Sequence, residues 1–182
     1  MKNIIIALTI ILSLHITTLA QITKVAIQAS GLTCSMCSNS IQKALKALPN
    51  TADVATDLNT NTFTITFKNQ QIVSIDELKN AIEKSGFTVA KLLATMQFTN
   101  IAVKNDEHIT ANSAMYHFVH IQPQTLNGLH TVQLIDKGFT NAKEYKKNSS
   151  YTTMPCIKTG YMQSCCSKNA VAYGTRVYHV TM

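Results

Sequence analysis

The sequence lacks most features that would mark a catalyst, a nucleic-acid binder or a membrane-spanning protein. Beyond the first twenty residues no run is long and apolar enough to cross a bilayer, which takes ~20 such residues. No nucleophile elbow, phosphate loop or paired-carboxylate arrangement occurs, so the chain reads as non-enzymatic. Acidic residues are few, nine against sixteen Lys and Arg, for a formal charge of +7. That excess is spread along the chain and never gathers with aromatics in one basic stretch, which speaks against nucleic acid as a partner. No Pro/Gly/Ser-rich linker and no internal repeat divides the chain.

What is present begins with a leader. Lys2 precedes the apolar run Ile4–Leu12, and Thr18-Leu19-Ala20 places small residues at the spacing of a cleavage site before Gln21. This plan predicts a signal peptide over 1–20 and an exported, periplasmic mature protein with no membrane span. All five cysteines, Cys34, Cys37, Cys156, Cys165 and Cys166, lie beyond it. An odd number in a compartment where disulfides form leaves at least one thiol over. Metal binding gives such a thiol a purpose.

The mature chain starts with a period-two pattern in which Val25, Ile27 and Ala29 share a face, the mark of a half-buried strand. After Cys37, Ile41, Ala44, Leu45 and Leu48 form the stripe of an amphipathic helix. Ala52–Leu58 and Phe63–Phe67 read as two more strands around Asn59-Thr60-Asn61. Ser74 and Glu77 form a capping box for a second helix with Ile75, Leu78 and Ile82 on its buried side. Gly86 stops that helix, and Phe87–Leu93 reads as a closing strand. The order β-α-β-β-α-β predicts an α+β, ferredoxin-like domain over 21–93.

Residues 94–182 are expected to form a second, β-rich unit. Strands are predicted at Met96–Lys104, His108–Ala111, Met115–Ile121, Leu129–Asp136 and Arg176–Met182, with a turn at Asn127-Gly128 and a short helix over Thr140–Lys147. Several short strands with one helix suggest a small barrel or sandwich, an OB-like barrel being one possibility.

The chemistry concentrates in Gly31-Leu32-Thr33-Cys34-Ser35-Met36-Cys37, between the first strand and the first helix. Two cysteines at this spacing on a helix start can aim both sulfurs at one point. The first-turn N–H groups and the helix dipole favour thiolate there. Thiolates select soft ions such as Cu(I), and two suffice for a near-linear Cu(I) site whereas structural zinc takes four ligands. A partly open pair can hand its ion to a partner by ligand exchange. The competing reading of the same C-x-x-C is a thiol–disulfide oxidoreductase. Met36 could add a thioether or simply sit in solvent.

With Ile41, Ala44-Leu45 and Gly86-Phe87, this motif makes residues 22–93 resemble the heavy-metal-associated domain of copper chaperones, copper-transporting ATPases and the periplasmic mercury-binding protein. The resemblance implies that Cys34 and Cys37 are the ligands and that Phe87 stands near the metal loop. It implies Cu(I) as cargo, with Hg(II), Ag(I) or Zn(II) also accommodated, and a metallochaperone or sequestering role. The partner would be another metal-site protein, such as a copper-transporting ATPase or efflux component, or the second half of this chain. Leu32 replaces a Met common in the family, at a packing position that leaves the ligand set intact.

Cys156, Cys165 and Cys166 lie with Met154 and Met162 in one short segment. Two readings stand: a second thiolate–thioether metal site, or a disulfide from Cys156 to Cys165 or Cys166. His108, His117, His120, His130 and His179 also fall in this half. They read as surface or strand-filling residues, His117 and His120 facing opposite sides of one strand.

Overall fold

The computed structural model of the chain describes residues 20–182 apart from 33, 69–73, 112–113 and 164–171. The signal peptide expected over 1–20 therefore lies, but for Ala20, outside the described residues. Strand β1 spans Gln21–Ser30 and helix α1 Ser35–Lys46. They are followed by β2 (Thr51–Asp57), β3 (Thr62–Phe67), α2 (Ile75–Lys84) and β4 (Thr88–Val103). The chain continues through β5 (Glu107–Ala111), β6 (Ala114–Phe118) and β7 (Gln124–Leu134). Helices α3 (Ala142–Ser149) and α4 (Cys156–Thr159) and strand β8 (Val177–Thr181) complete it. None of the described helices is long and apolar enough to cross a membrane.

The eight strands of the described residues join one sheet in the order β2-β3-β1-β4-β7-β8-β6-β5. Its first four strands are the antiparallel ferredoxin-like set predicted from the sequence. Ile41 and Leu45 of α1, and Ile75, Leu78, Ala81 and Ile82 of α2, are buried with Val25, Ile27, Phe63 and Ile65 of the strands beneath. The two helices touch each other and so cover the same face. Ser74 caps α2, its Oγ accepting the Glu77 N–H at 3.3 Å.

The C-terminal half departs from the barrel expectation. The sheet is open, with β2 and β5 at its edges, and the start of β1 meets β5 through an isolated Ala20–Ala111 bridge in place of a closing ladder. The strands run on from the first sheet: β4 passes through Ala94 without a break and pairs with β1 on one side and β7 on the other. A strand with both flanks hydrogen-bonded has no free edge at which to close a separate barrel. The Asn127-Gly128 turn is also absent. Phe98 pairs with Gly128 and Ile101 with Leu126, so Thr99 and Asn100 oppose Asn127 alone. The positive φ of Gly128 (+85°) and Asn100 (+48°) serves a bulge inside a continuous ladder. The expected helix starts two residues late, at Ala142, because Asn141 is its cap and accepts the Glu144 N–H at 2.9 Å.

Strand β6 is buried on both faces. Tyr116 and Phe118 enter the main core, whereas Met115, and Val119 just past the strand, belong to separate buried clusters. The segment carrying α4 contributes Cys156, Ile157 and Met162 to those clusters.

Candidate metal centre

The β1–α1 junction is shaped by local backbone demands. Gly31 leaves the strand at φ +86°, a conformation open to glycine without strain. A Cβ at that position would stand 3.8 Å from Cδ1 of Phe87, so the Phe87 ring lies against the first residue of the loop. Leu32 packs on the main core, and Ser30 Oγ meets Thr88 Oγ1 at 2.6 Å, fastening the two strand ends at the mouth of the loop.

Cys34 is the N-cap of α1. Its extended backbone (φ −149°, ψ 155°) turns Sγ back over the first turn, where it accepts the Cys37 N–H at 3.3 Å. A sulfur thus occupies the place usually held by a Ser or Asp oxygen. The Cys37 side chain, then the Cys37 N–H, hold the Cys34 thiol below its ordinary value. No acidic residue lies in the first turn of α1 to oppose a thiolate. Cys34 is exposed and Cys37 half-buried, so both are placed at the surface end of the helix. Met36 is 82% exposed and points away into solvent.

The remaining sequence-flagged cysteines behave differently. Cys156 opens α4 and is fully buried. Cys165 and Cys166 lie outside the described residues. The Cys156 sulfur meets histidines: His179 Nε2 at 3.3 Å and His117 Nδ1 at 3.7 Å. His117 and His179 are themselves fully buried, in register on the parallel strands β6 and β8. Burial first, then the neighbouring His179 and His108, push His117 down to about 3, leaving a neutral ring. Sequence reasoning missed these partners because pairing across 62 positions is invisible to periodicity. One signal was available: each histidine sits mid-strand between apolar residues, in Tyr116-His117-Phe118 and Tyr178-His179-Val180.

A model of the heavy-metal-associated domain matches residues 26–88, and the chain belongs to that family through this segment. The match leaves the C-terminal half uncovered. Similar solved structures include the yeast copper transporter domain Ccc2a, in apo and Cu(I)-loaded states, at 35% identity over 36% of this chain and 88% of that one (TM-score 0.33). The CopZ metallochaperone is 19% identical over 37% of this chain and all of its own (TM-score 0.35). Oxidized MerP from Ralstonia metallidurans CH34 is 24% identical over 37% of this chain and 92% of its own (TM-score 0.34). No curated protein matches the chain.

Proposed function

We propose that this protein is an exported heavy-metal carrier that binds Cu(I) between Cys34 and Cys37 and passes it on by ligand exchange. The observation that carries the reading is the exposed Cys34 sulfur, held at a helix N-terminus by the N–H of Cys37, the second cysteine of the pair. A first-turn N–H and a favourable dipole stabilise the thiolate form, and two thiolates at the surface suit a soft, low-coordinate ion that must leave again. The leader plan of residues 1–20 supports action outside the cytoplasmic membrane. The receiving partner is a protein with its own thiolate site, such as a copper-transporting ATPase or an efflux component. The same sulfurs would also accommodate Hg(II), Ag(I) or Zn(II) in vitro.

A competition titration of the reduced chain against a Cu(I) chelator tests this, run beside a disulfide-reduction assay. The reading requires one tightly held Cu(I) that is lost in Cys34→Ser and in Cys37→Ser, with no reductase turnover. Catalytic turnover with weak Cu(I) binding would assign the pair to thiol–disulfide exchange instead.

A further inference from the structure

The cluster around Cys156 shares no residue with the Cys34–Cys37 pair. Three adjacent strands each place a histidine in one cross-strand row: His108 of β5 pairs with His117 of β6, which pairs with His179 of β8. The rings of His108 and His117 stack at 4.2 Å, and those of His117 and His179 meet edge to face at 5.0 Å. Cys156 of α4 sits over this row with its sulfur turned to the rings.

Carboxylates set the proton positions of two of the rings. His179 Nδ1 lies 2.7 Å from Asp136 Oδ1, and the His179 backbone N–H donates to Asp136 Oδ2 at 2.7 Å. His117 Nε2 lies 3.0 Å from Asp106 Oδ1. A carboxylate only accepts, so each imidazole carries its proton on the carboxylate side. The opposite nitrogens, His179 Nε2 and His117 Nδ1, then present bare lone pairs to the Cys156 sulfur. His108 adds a third ring: its Nε2 is buried with no hydrogen-bond partner among the described residues. Ligand atoms of His108, His117 and Cys156 all lie within 4.8 Å of one another.

We propose that Cys156, His117 and His108, with His179 as a fourth donor beside the sulfur, form a second metal site, for a divalent first-row transition ion of the zinc or copper type. The spacing carries this. With metal–sulfur bonds near 2.3 Å and metal–nitrogen bonds near 2.0 Å, the sulfur–nitrogen edge of a tetrahedron is about 3.5 Å. The observed separations of 3.3 and 3.7 Å lie on either side of that value. Asp136 and Asp106 stand where metal-binding histidines keep their outer carboxylates. One thiolate with imidazoles is a harder donor set than two thiolates, which selects a borderline ion over Cu(I). A sulfur this deeply buried suits an ion that is retained, and the same burial disfavours Cys156, His179 and Asp136 acting as a nucleophile triad on a bulky substrate. Asp106, whose side chain is 34% exposed, and the half-buried His108 mark the solvent side by which the ion enters.

The test uses the full chain with Cys34, Cys37, Cys165 and Cys166 replaced by Ser, so that Cys156 is the one thiol, and Co(II) as the probe. The proposal requires one Co(II) per chain with an intense four-coordinate ligand-field spectrum and a thiolate-to-metal charge-transfer band. The band must vanish in Cys156→Ser, and affinity must fall at least tenfold in His179→Asn and in His117→Asn and about 10–100-fold in Asp136→Asn. Because these residues are buried, X-ray absorption of the Zn(II)-loaded parent supplies a readout without any substitution at the site. One sulfur with two or three nitrogens is expected. A zinc shell of oxygen and nitrogen alone overturns the proposal. So does a Cys156 thiol that reacts rapidly with iodoacetamide, dependent on His179 and indifferent to metal, since that result assigns a nucleophile.

Discussion

Asp76, at the start of α2, and Arg176, just before β8, form a two-pronged ion pair across a hundred positions of sequence: Nε donates to Oδ2 at 2.9 Å and Nη2 to Oδ1 at 3.2 Å. Tyr178 OH donates to the same Oδ2 at 3.0 Å, and the guanidinium lies over the Tyr178 ring at 4.2 Å. Through these contacts α2, which covers the first four strands of the sheet, is tied to the strand that carries His179. The planar fork matches a carboxylate in a way a lysine could not.

Breaking this tie weakens the fold in a pH-dependent way. Burial raises the Asp76 carboxyl, but the Arg176 and Tyr178 contacts outweigh it and hold it below its ordinary value. A depressed carboxyl contributes stability that is present above the unfolded value near ~3.9 and is lost as pH falls through the folded one. The Asp76 side chain is 37% exposed, so solvent screening limits the contribution. Asp76→Asn is expected to lower stability by about 1 kcal/mol at neutral pH. Urea unfolding of parent and variant should show the two midpoints converging as pH falls below the ordinary carboxyl range and the Asp76 carboxylate is protonated.

The core under α1 sets a larger scale. Leu45 is fully buried in the cluster shared with Ile41 and Phe63. Leu45→Ala removes that packing and leaves a cavity, for an expected loss of about 2–5 kcal/mol. Thermal or denaturant unfolding reads the loss directly, and a change under 1 kcal/mol would contradict the packing described.

Gly31 isolates the backbone requirement of the loop that carries Cys34 and Cys37. An added methyl would meet Phe87 at ordinary contact distance, so sterics are not the obstacle. The φ of +86° is, because L-residues with a Cβ rarely adopt it. Gly31→Ala should cost about 1–2 kcal/mol of stability. It should also lower Cu(I) affinity, by displacing the strand exit that aims Cys34. Paired unfolding and chelator-competition measurements check both effects.

The Cys34 thiol offers a reactivity test in metal-free, reduced protein. Contact with Cys37, first through its side chain and then its N–H, favours the Cys34 thiolate. Alkylation of Cys34 should therefore reach half-maximal rate at a lower pH than a simple peptide thiol does. Cys37→Ala should move that midpoint upward. An unchanged midpoint would remove the electrostatic basis of the site.

Much of the first half was legible because its signals are local. The Val25–Ala29 alternation, the Ile41–Leu48 stripe and the Ser74–Glu77 cap each act within a few residues, and the observed elements follow them. The Cys34–Cys37 spacing likewise determines its own geometry once a helix begins between the two. The second half resisted for the opposite reason. Asn127-Gly128 has the composition of a turn, yet β4 pairs along both of its flanks and turns the irregularity into a bulge. His117 and His179 became a cluster through a parallel pairing that no local pattern encodes, and burial of both faces of β6 depends on a segment some forty residues away.

The most direct test of the central claim is copper K-edge X-ray absorption on the reduced chain carrying one equivalent of Cu(I). The account predicts a first shell of two sulfurs and no nitrogen, which disappears when Cys34 is replaced by Ser. A shell containing imidazole nitrogen, or a two-sulfur shell that survives Cys34→Ser, would place the ion elsewhere and contradict it.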